Sequence, residues 1–272
     1  MIKNDFKGQA VLVTGGTKGL GLAIGLAFGE QGAETYLTHK WGSADEGAVR
    51  KAFADRGAPE PHIIEADASK DADTTELLAA IKQHHDSLMV FVSNVSFAAV
   101  GSGMEGLNKR ALFTSLEYSA WPMVGYVQKI KQVFGRYPRY TLGTSCDGPD
   151  TYYPNYEYVA VSKTVMETFC RYMAKHMFEQ ERCSINILRS RPVPTESLVA
   201  TFGAEFEPFL RKYWGDDYLV TLEQVGQAAL ALCSGLMDAM TGQVVLLDRG
   251  VGFQDNLMRM FQHRGELGLP DR

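Results

Sequence analysis

The stretch Pro154-Asn155-Tyr156-Glu157-Tyr158-Val159-Ala160-Val161-Ser162-Lys163 sets a phenol and an ammonium seven residues apart. On a helix those positions lie two turns apart on one face, so Tyr156 and Lys163 can point at one cleft. A phenol there can donate a hydrogen bond to an oxygen on which negative charge develops. A nearby ammonium lowers the phenol pKa. The wide spacing leaves room between the two groups, and the residue one turn before Lys163 is the apolar Val159. Tyr158 falls about 200° from Tyr156 on the helical wheel and is expected to pack outward.

A second run, Thr14-Gly15-Gly16-Thr17-Lys18-Gly19-Leu20-Gly21, follows an expected strand and opens an expected helix. Gly15 allows a tight turn, Gly19 lets the backbone approach a pyrophosphate, and Gly21 permits close packing of helix on sheet. The helix N-terminus then faces the phosphates. Gly15, Thr17, Lys18, Gly19, Leu20 and Gly21 are therefore expected to border a dinucleotide, the alternative being a glycine-rich turn without a ligand. The second strand ends in Thr38-His39-Lys40-Trp41, with no carboxylate to hold a ribose 2′-hydroxyl. Lys18 and Lys40, next to His39, can reach a 2′-phosphate as point charges. NADP(H) is thereby favoured over NAD(H), unless Lys40 is only a solvated loop residue.

These groups must be carried by a frame, and the frame is legible as alternation. Residues 9–14, 34–38, 62–65, 89–93, 139–144, 184–188 and 243–247 read as strands; 19–31, 44–56, 71–84, 113–135, 155–180 and 223–236 read as helices. Such alternation predicts an α/β fold, a Rossmann-type doubly wound parallel sheet of about seven strands with helices on both faces. The whole chain, 1–272, is expected to be one domain. Residues 192–221 interrupt the pattern and read as an irregular, lid-like segment. Within it Phe202, Phe206, Phe209 and Tyr213 form an aromatic stripe at helical spacing, suited to a bulky apolar substrate or an oligomer contact. Residues 251–272 form a tail whose Phe253, Leu257, Met260 and Phe261 suit docking on a neighbouring subunit.

A net charge of −5 without any Lys/Arg block gives no support to a nucleic-acid or membrane-surface partner. The four cysteines lack C-x-x-C spacing, so they are expected to be reduced thiols, with no metal site. No signal-type apolar region or membrane-length run is present, and a cytoplasmic location is the default.

The T-G-x-x-x-G-x-G run after the first strand resembles the short-chain dehydrogenase/reductase fingerprint, and the general likeness covers residues 9–250. Lys163 stands where that superfamily keeps its catalytic lysine. The usual tyrosine slot is Val159, the usual serine slot is Cys146 with Ser145 adjacent, and the helix after the fourth strand has no asparagine in place. Ser93-Asn94-Val95-Ser96-Phe97-Ala98 replaces the common N-N-A-G motif. Tyr-x6-Lys at 156 and 163, followed by Arg171-Tyr172-Met173-Ala174, is similar to bacterial enoyl-acyl-carrier-protein reductases.

That resemblance implies hydride transfer to the β-carbon of an α,β-unsaturated thioester, carried by an acyl carrier protein or coenzyme A, in fatty acid or polyketide metabolism. It implies Tyr156 as oxyanion donor, Lys163 on the nicotinamide-side ribose, and Ser145 and Tyr152 near the acyl group. Tyr152 and Tyr153 could equally be loop packing. Asp67 and Ala68 resemble an adenine contact, although Asp67 also suits a helix N-cap. Asn94 is expected to brace backbone near the ribose, and Val193 and Thr195 to hold the carboxamide. Arg191 replaces a usual glycine and either enters the site or makes a surface ion pair. Homodimers or homotetramers are implied as well. Two other readings stay open: a carbonyl or enone reductase with a relocated proton donor, and a non-catalytic nucleotide-binding homologue.

Overall fold

In a computed structural model, residues 4–97, 99 and 101–268 are described. Ala98 and residues 269–272, drawn on above, lie outside them. The strands are β1 (Ala10–Val13), β2 (Glu34–His39), β3 (His62–Glu65), β4 (Val90–Ser93), β5 (Tyr140–Ser145), β6 (Ser184–Ser190) and β7 (Val244–Leu247). The helices are α1 (Gly19–Gly29), α2 (Glu46–Asp55), α3 (Asp71–Lys82), α4 (Lys109–Ser119), α5 (Trp121–Phe134), α6 (Glu157–Glu181), α7 (Glu196–Phe202), α8 (Phe206–Trp214), α9 (Leu222–Leu232) and α10 (Asn256–Gln262). The strands form one parallel sheet in the order β3-β2-β1-β4-β5-β6-β7.

Every residue of β1, β4, β5 and β6 is buried, the mark of a parallel sheet covered on both sides. Period-two alternation divides the core. Ala10, Leu12 and Phe91 pack with Met123, Ile130 and Met166 of α5 and α6. Val11, Val13 and Val90 pack with Ile24, Phe28 and Val225 of α1 and α9. Strand order reverses between β1 and β4, which opens a crevice beyond their carboxyl ends.

Two elements depart from the sequence expectation. The helix expected over 113–135 breaks at Ala120, with Pro122 in the first turn of α5. A proline supplies no N–H, so it is tolerated at a helix start and not inside one. Residues 192–221 are largely helical, and Gly203 separates α7 from α8, so the aromatic stripe is shared between two helices. The tail is anchored to α8, with Tyr213 Oη donating to Asn256 O at 2.6 Å and Arg259 Nη2 to Trp214 O at 3.0 Å, while Phe253, Leu257 and Phe261 stay exposed. Among the described residues no helix is long and apolar enough to cross a membrane, and no cluster of three His, Cys, Asp or Glu could hold a metal.

Candidate active site

The crevice widens into a cavity of about 1180 Å³, bordered by the glycine turn, the ends of β2, β4, β5 and β6, α6 and α7. That exceeds the roughly 300–1,000 Å³ of a small-ligand pocket. Gly15, Thr17, Lys18, Gly19, Leu20, His39, Lys40, Asp67, Ala68, Asn94, Val193 and Thr195 all border it, as do Ser145, Tyr156 and Lys163.

The dinucleotide end is built on the start of α1. Gly19 has φ +55°, a conformation side chains resist, and a Cβ on Gly21 would lie 2.3 Å from Gly15 O. No side chain caps α1 and its first turn has no acid, which leaves the leading N–H groups open to a phosphate. Asn94 braces this turn. Its Nδ2 donates to Thr14 O at 3.2 Å and Gly15 O at 3.0 Å, and its Oδ1 accepts from Thr144 Oγ1 at 3.2 Å. Two buried polar atoms on the cavity lining, His39 Nδ1 and Ser190 Oγ, find no protein partner. The uncapped N–H groups and the orphaned His39 Nδ1 at this end together fit a nicotinamide dinucleotide.

The lysines do not behave as expected. Lys40 Nζ stands 2.5 Å from Asp67 Oδ2 and donates to Tyr118 Oη at 2.7 Å. Burial works against both charges, yet their mutual hydrogen bond and attraction, joined by Tyr118 on Lys40 and Ser69 on Asp67, together outweigh it, lowering the Asp67 pKa and raising that of Lys40. The ammonium is thus already neutralised, so a 2′-phosphate would meet the Asp67 carboxylate as well. Lys18 is exposed and pairs with Glu196 of α7 at 3.7 Å. Asp67 is not an N-cap, since Lys70 occupies that position of α3; its carboxylate accepts from Ser69 N and Oγ at 3.0 and 2.8 Å.

At the other end, Tyr156 is the N-cap residue of α6 and Lys163 lies two turns on. Tyr156 Oη donates to Cys146 Sγ at 3.6 Å. Lys163 Nζ donates to Thr144 O at 2.9 Å and does not press on the phenol as the spacing suggested. Burial, reinforced by the Cys146 sulfur, pushes the Tyr156 phenol well above its usual pKa. Burial lowers that of Lys163, against the pull of Cys146 and Glu167. Tyr156 consequently stays protonated at neutral pH, as a hydrogen-bond donor must. Val159 is buried and forms an apolar wall of the cavity between them.

Of the two expected neighbours of the acyl group, Tyr152 lies off the cavity and Ser145 borders it with its hydroxyl already engaged. Tyr152 is 82% exposed and away from the cavity; Tyr153 takes its place. The rings of Tyr153, Tyr156 and Phe202 of α7 form a triangle with centroid separations of 5.6, 5.7 and 5.4 Å. Ser145 Oγ donates to Glu167 Oε1 at 2.6 Å, and Glu167 is held by Arg189 Nη2 at 2.6 Å, so this hydroxyl braces β5 against α6. Thr195 Oγ1 caps α7 by accepting from Leu198 N at 3.1 Å, leaving its own proton to donate. Tyr158 does not pack outward; it is buried, and its Oη accepts from Asn108 N at 2.6 Å. Arg191 borders the cavity and pairs with Asp147, which also accepts from Tyr153 Oη. Asp147, Tyr153 and Ser190 had no signal in spacing alone, because loop and strand-end residues carry no period that fixes where they point.

Fold and cleft together define a short-chain dehydrogenase/reductase. The chain belongs to the enoyl-(acyl carrier protein) reductase family, whose model matches residues 15–252. The NADH-dependent enoyl-acyl-carrier-protein reductase of Neisseria meningitidis is 26% identical over 254 residues, covering 90% of this chain and 95% of that protein. Its Escherichia coli counterpart is likewise 26% identical, covering 89% and 94%. The solved structure of the Aquifex aeolicus enzyme matches with TM-score 0.78 at 22% identity, over 92% of this chain and 99% of that one. A Serratia marcescens short-chain dehydrogenase/reductase matches with TM-score 0.78 at 20% identity, over 91% and 99%. The named enoyl reductases are NADH enzymes, which overturns the expected NADP(H) preference. The physical reason is the Lys40–Asp67 pair: the charge expected to read a phosphate is spent inside the protein.

Proposed function

We propose that this protein is an NADH-dependent reductase of an α,β-unsaturated thioester carried by an acyl carrier protein or coenzyme A. The observation that carries the reading is the meeting of Tyr156 and Lys163 at one cavity, with apolar Val159 between them. NADH supplies the hydride when bound. Tyr156 donates its hydrogen bond to the thioester oxygen as negative charge builds there, a contribution typically worth roughly 3–4 kcal/mol of barrier. Lys163 binds the ribose hydroxyls and keeps the cofactor in register with the phenol. Gly15 to Gly21 and the open end of α1 bind the pyrophosphate. Val159, Tyr153 and Phe202 exclude water from the enoyl group. The segment from 192 to 221 acts as the lid, since α7 carries Phe202 and ties to the glycine turn through Glu196 and Lys18. A homo-oligomer is the expected assembly.

The test is NADH oxidation with crotonyl-coenzyme A against matched panels of enones and saturated ketones. Turnover of the thioester is expected. Oxidation with the ketone panel alone would refute the reading and favour a carbonyl reductase.

A further inference from the structure

One reactive group in the cavity is unused by the reduction. Cys146 follows β5, borders the cavity and is partly exposed, whereas Cys170, Cys183 and Cys233 are buried. Burial raises the pKa of Cys170 to about 12 and that of Cys183 to about 11, and holds Cys233 well above its usual value. Thiol reactivity follows access and the local supply of positive charge, and suppressed buried thiols are inert. Cys146 has the access that the other three lack, and a lysine stands near it. Tyr156 Oη donates to its sulfur at 3.6 Å, and the Lys163 ammonium is bonded to Thr144, two residues back, within electrostatic reach.

An independent observation points to what enters here. Ser190 is only 9% exposed, its hydroxyl has no protein partner, and it borders the same cavity. The pairing of Ser145 with Arg189 carries Ser190 to the strand position beside Cys146. A buried hydroxyl left unpaired is costly, so the site asks for a ligand with a hydrogen-bonding oxygen close to the sulfur. Tyr156 offers that oxygen a second donor.

We propose that Cys146 is a covalent capture site for compact, planar α,β-unsaturated carbonyl electrophiles. The carbonyl oxygen takes hydrogen bonds from Tyr156 and Ser190. The sulfur forms a bond to the β-carbon as the C=C π bond breaks, and that electron pair moves through the α-carbon onto the carbonyl oxygen. The proton lost by the thiol returns at the α-carbon, so the product is a saturated thioether and no external oxidant or reductant is consumed. The adduct fills the cleft beside the phenol and shuts the enzyme. The proposal shares the carbonyl-binding cleft with the reading above, but it needs no turnover.

The test is intact-mass and peptide-mapping analysis of the full, native chain treated with stoichiometric N-ethylmaleimide. One adduct on Cys146 is expected, formed at least about tenfold faster than on glutathione in the same buffer. Cys146→Ser should stay unmodified while its circular dichroism is unchanged. Lys163→Met should slow the alkylation at least about fivefold by removing the neighbouring ammonium. Adduct on a buried cysteine instead, or a rate no greater than that of glutathione, would overturn the proposal. Rapid capture without crotonyl-coenzyme A reduction would sink the enoyl-reductase reading alone, whereas reduction without capture would sink this one alone.

Discussion

Replacing Tyr156 by Phe isolates one hydroxyl. In the resting protein that hydroxyl has a single partner, the Cys146 sulfur at 3.6 Å, and sulfur is a weak acceptor. Phenylalanine keeps the ring in its triangle with Tyr153 and Phe202, so the aromatic contacts survive. The stability change should therefore stay below about 1 kcal/mol, the usual net worth of a hydrogen bond. In the transition state the same hydroxyl faces a developing oxyanion, and loss of such a donor costs roughly 3–4 kcal/mol, or about 10²–10³ in kcat. The assay is steady-state reduction of crotonyl-coenzyme A, with NADH affinity from fluorescence titration and Tm from thermal melts. The expected pattern is kcat down by at least tenfold, with NADH Kd and Tm nearly unmoved. A kcat within about threefold of wild type would refute the role of the phenol. An equal fall in Tm would show that the hydroxyl is structural.

Val159→Tyr puts a phenol one turn from Lys163 on a wall that is already packed. It should cost about 1–3 kcal/mol of stability and fail to raise enoyl reduction, as denaturant melts and initial rates can check. Lys40→Ala leaves the buried Asp67 carboxylate unpaired and should lose about 1–3 kcal/mol while NADH affinity changes little. The lowered Asp67 pKa means the pair's contribution is present above the usual carboxylate pKa and lost as pH falls through the folded value. The raised Lys40 pKa means it is also lost as pH climbs through the folded lysine value, so wild type and variant should converge at both extremes of a Tm–pH curve. Gly21→Ala drives a Cβ to 2.3 Å from Gly15 O, and calorimetry should show NADH binding lost or weakened by at least tenfold.

What could be read from the residues is what depends on local spacing. Glycines after a strand specify a turn and a helix start, and seven alternating strand and helix patterns lead to the doubly wound sheet. Tyr156 and Lys163 were within reach because one helix carries both. Features that depend on distant partners were not. Lys40 looked like a free cation because Asp67 and Tyr118 lie 27 and 78 positions on in the chain. Ser145 is drawn off by Glu167, 22 residues later, and Arg191 by Asp147 across two strand ends. Tyr152 and Tyr153 differ by one place in a loop, where no repeat decides which turns inward. The break at Ala120 left its trace in Pro122, which the apolar pattern of the surrounding stretch concealed.

Asn94 has a consequence for how this chain can be recombined. Its one side chain touches the glycine turn through Gly15 and β5 through Thr144, and the Thr144 carbonyl in turn receives Lys163. The nucleotide end and the chemical end are thus tied through this side chain as well as through the pairing of β1, β4 and β5, so a misfit at the turn is passed along the sheet. A chimaera that takes its first ninety-odd residues from a relative inherits that relative's turn geometry and transmits it, bond by bond, to the lysine. Exchanges in this protein should be tolerated where the crossover leaves residues 14, 94 and 144 from the same parent, and should fail where it parts them.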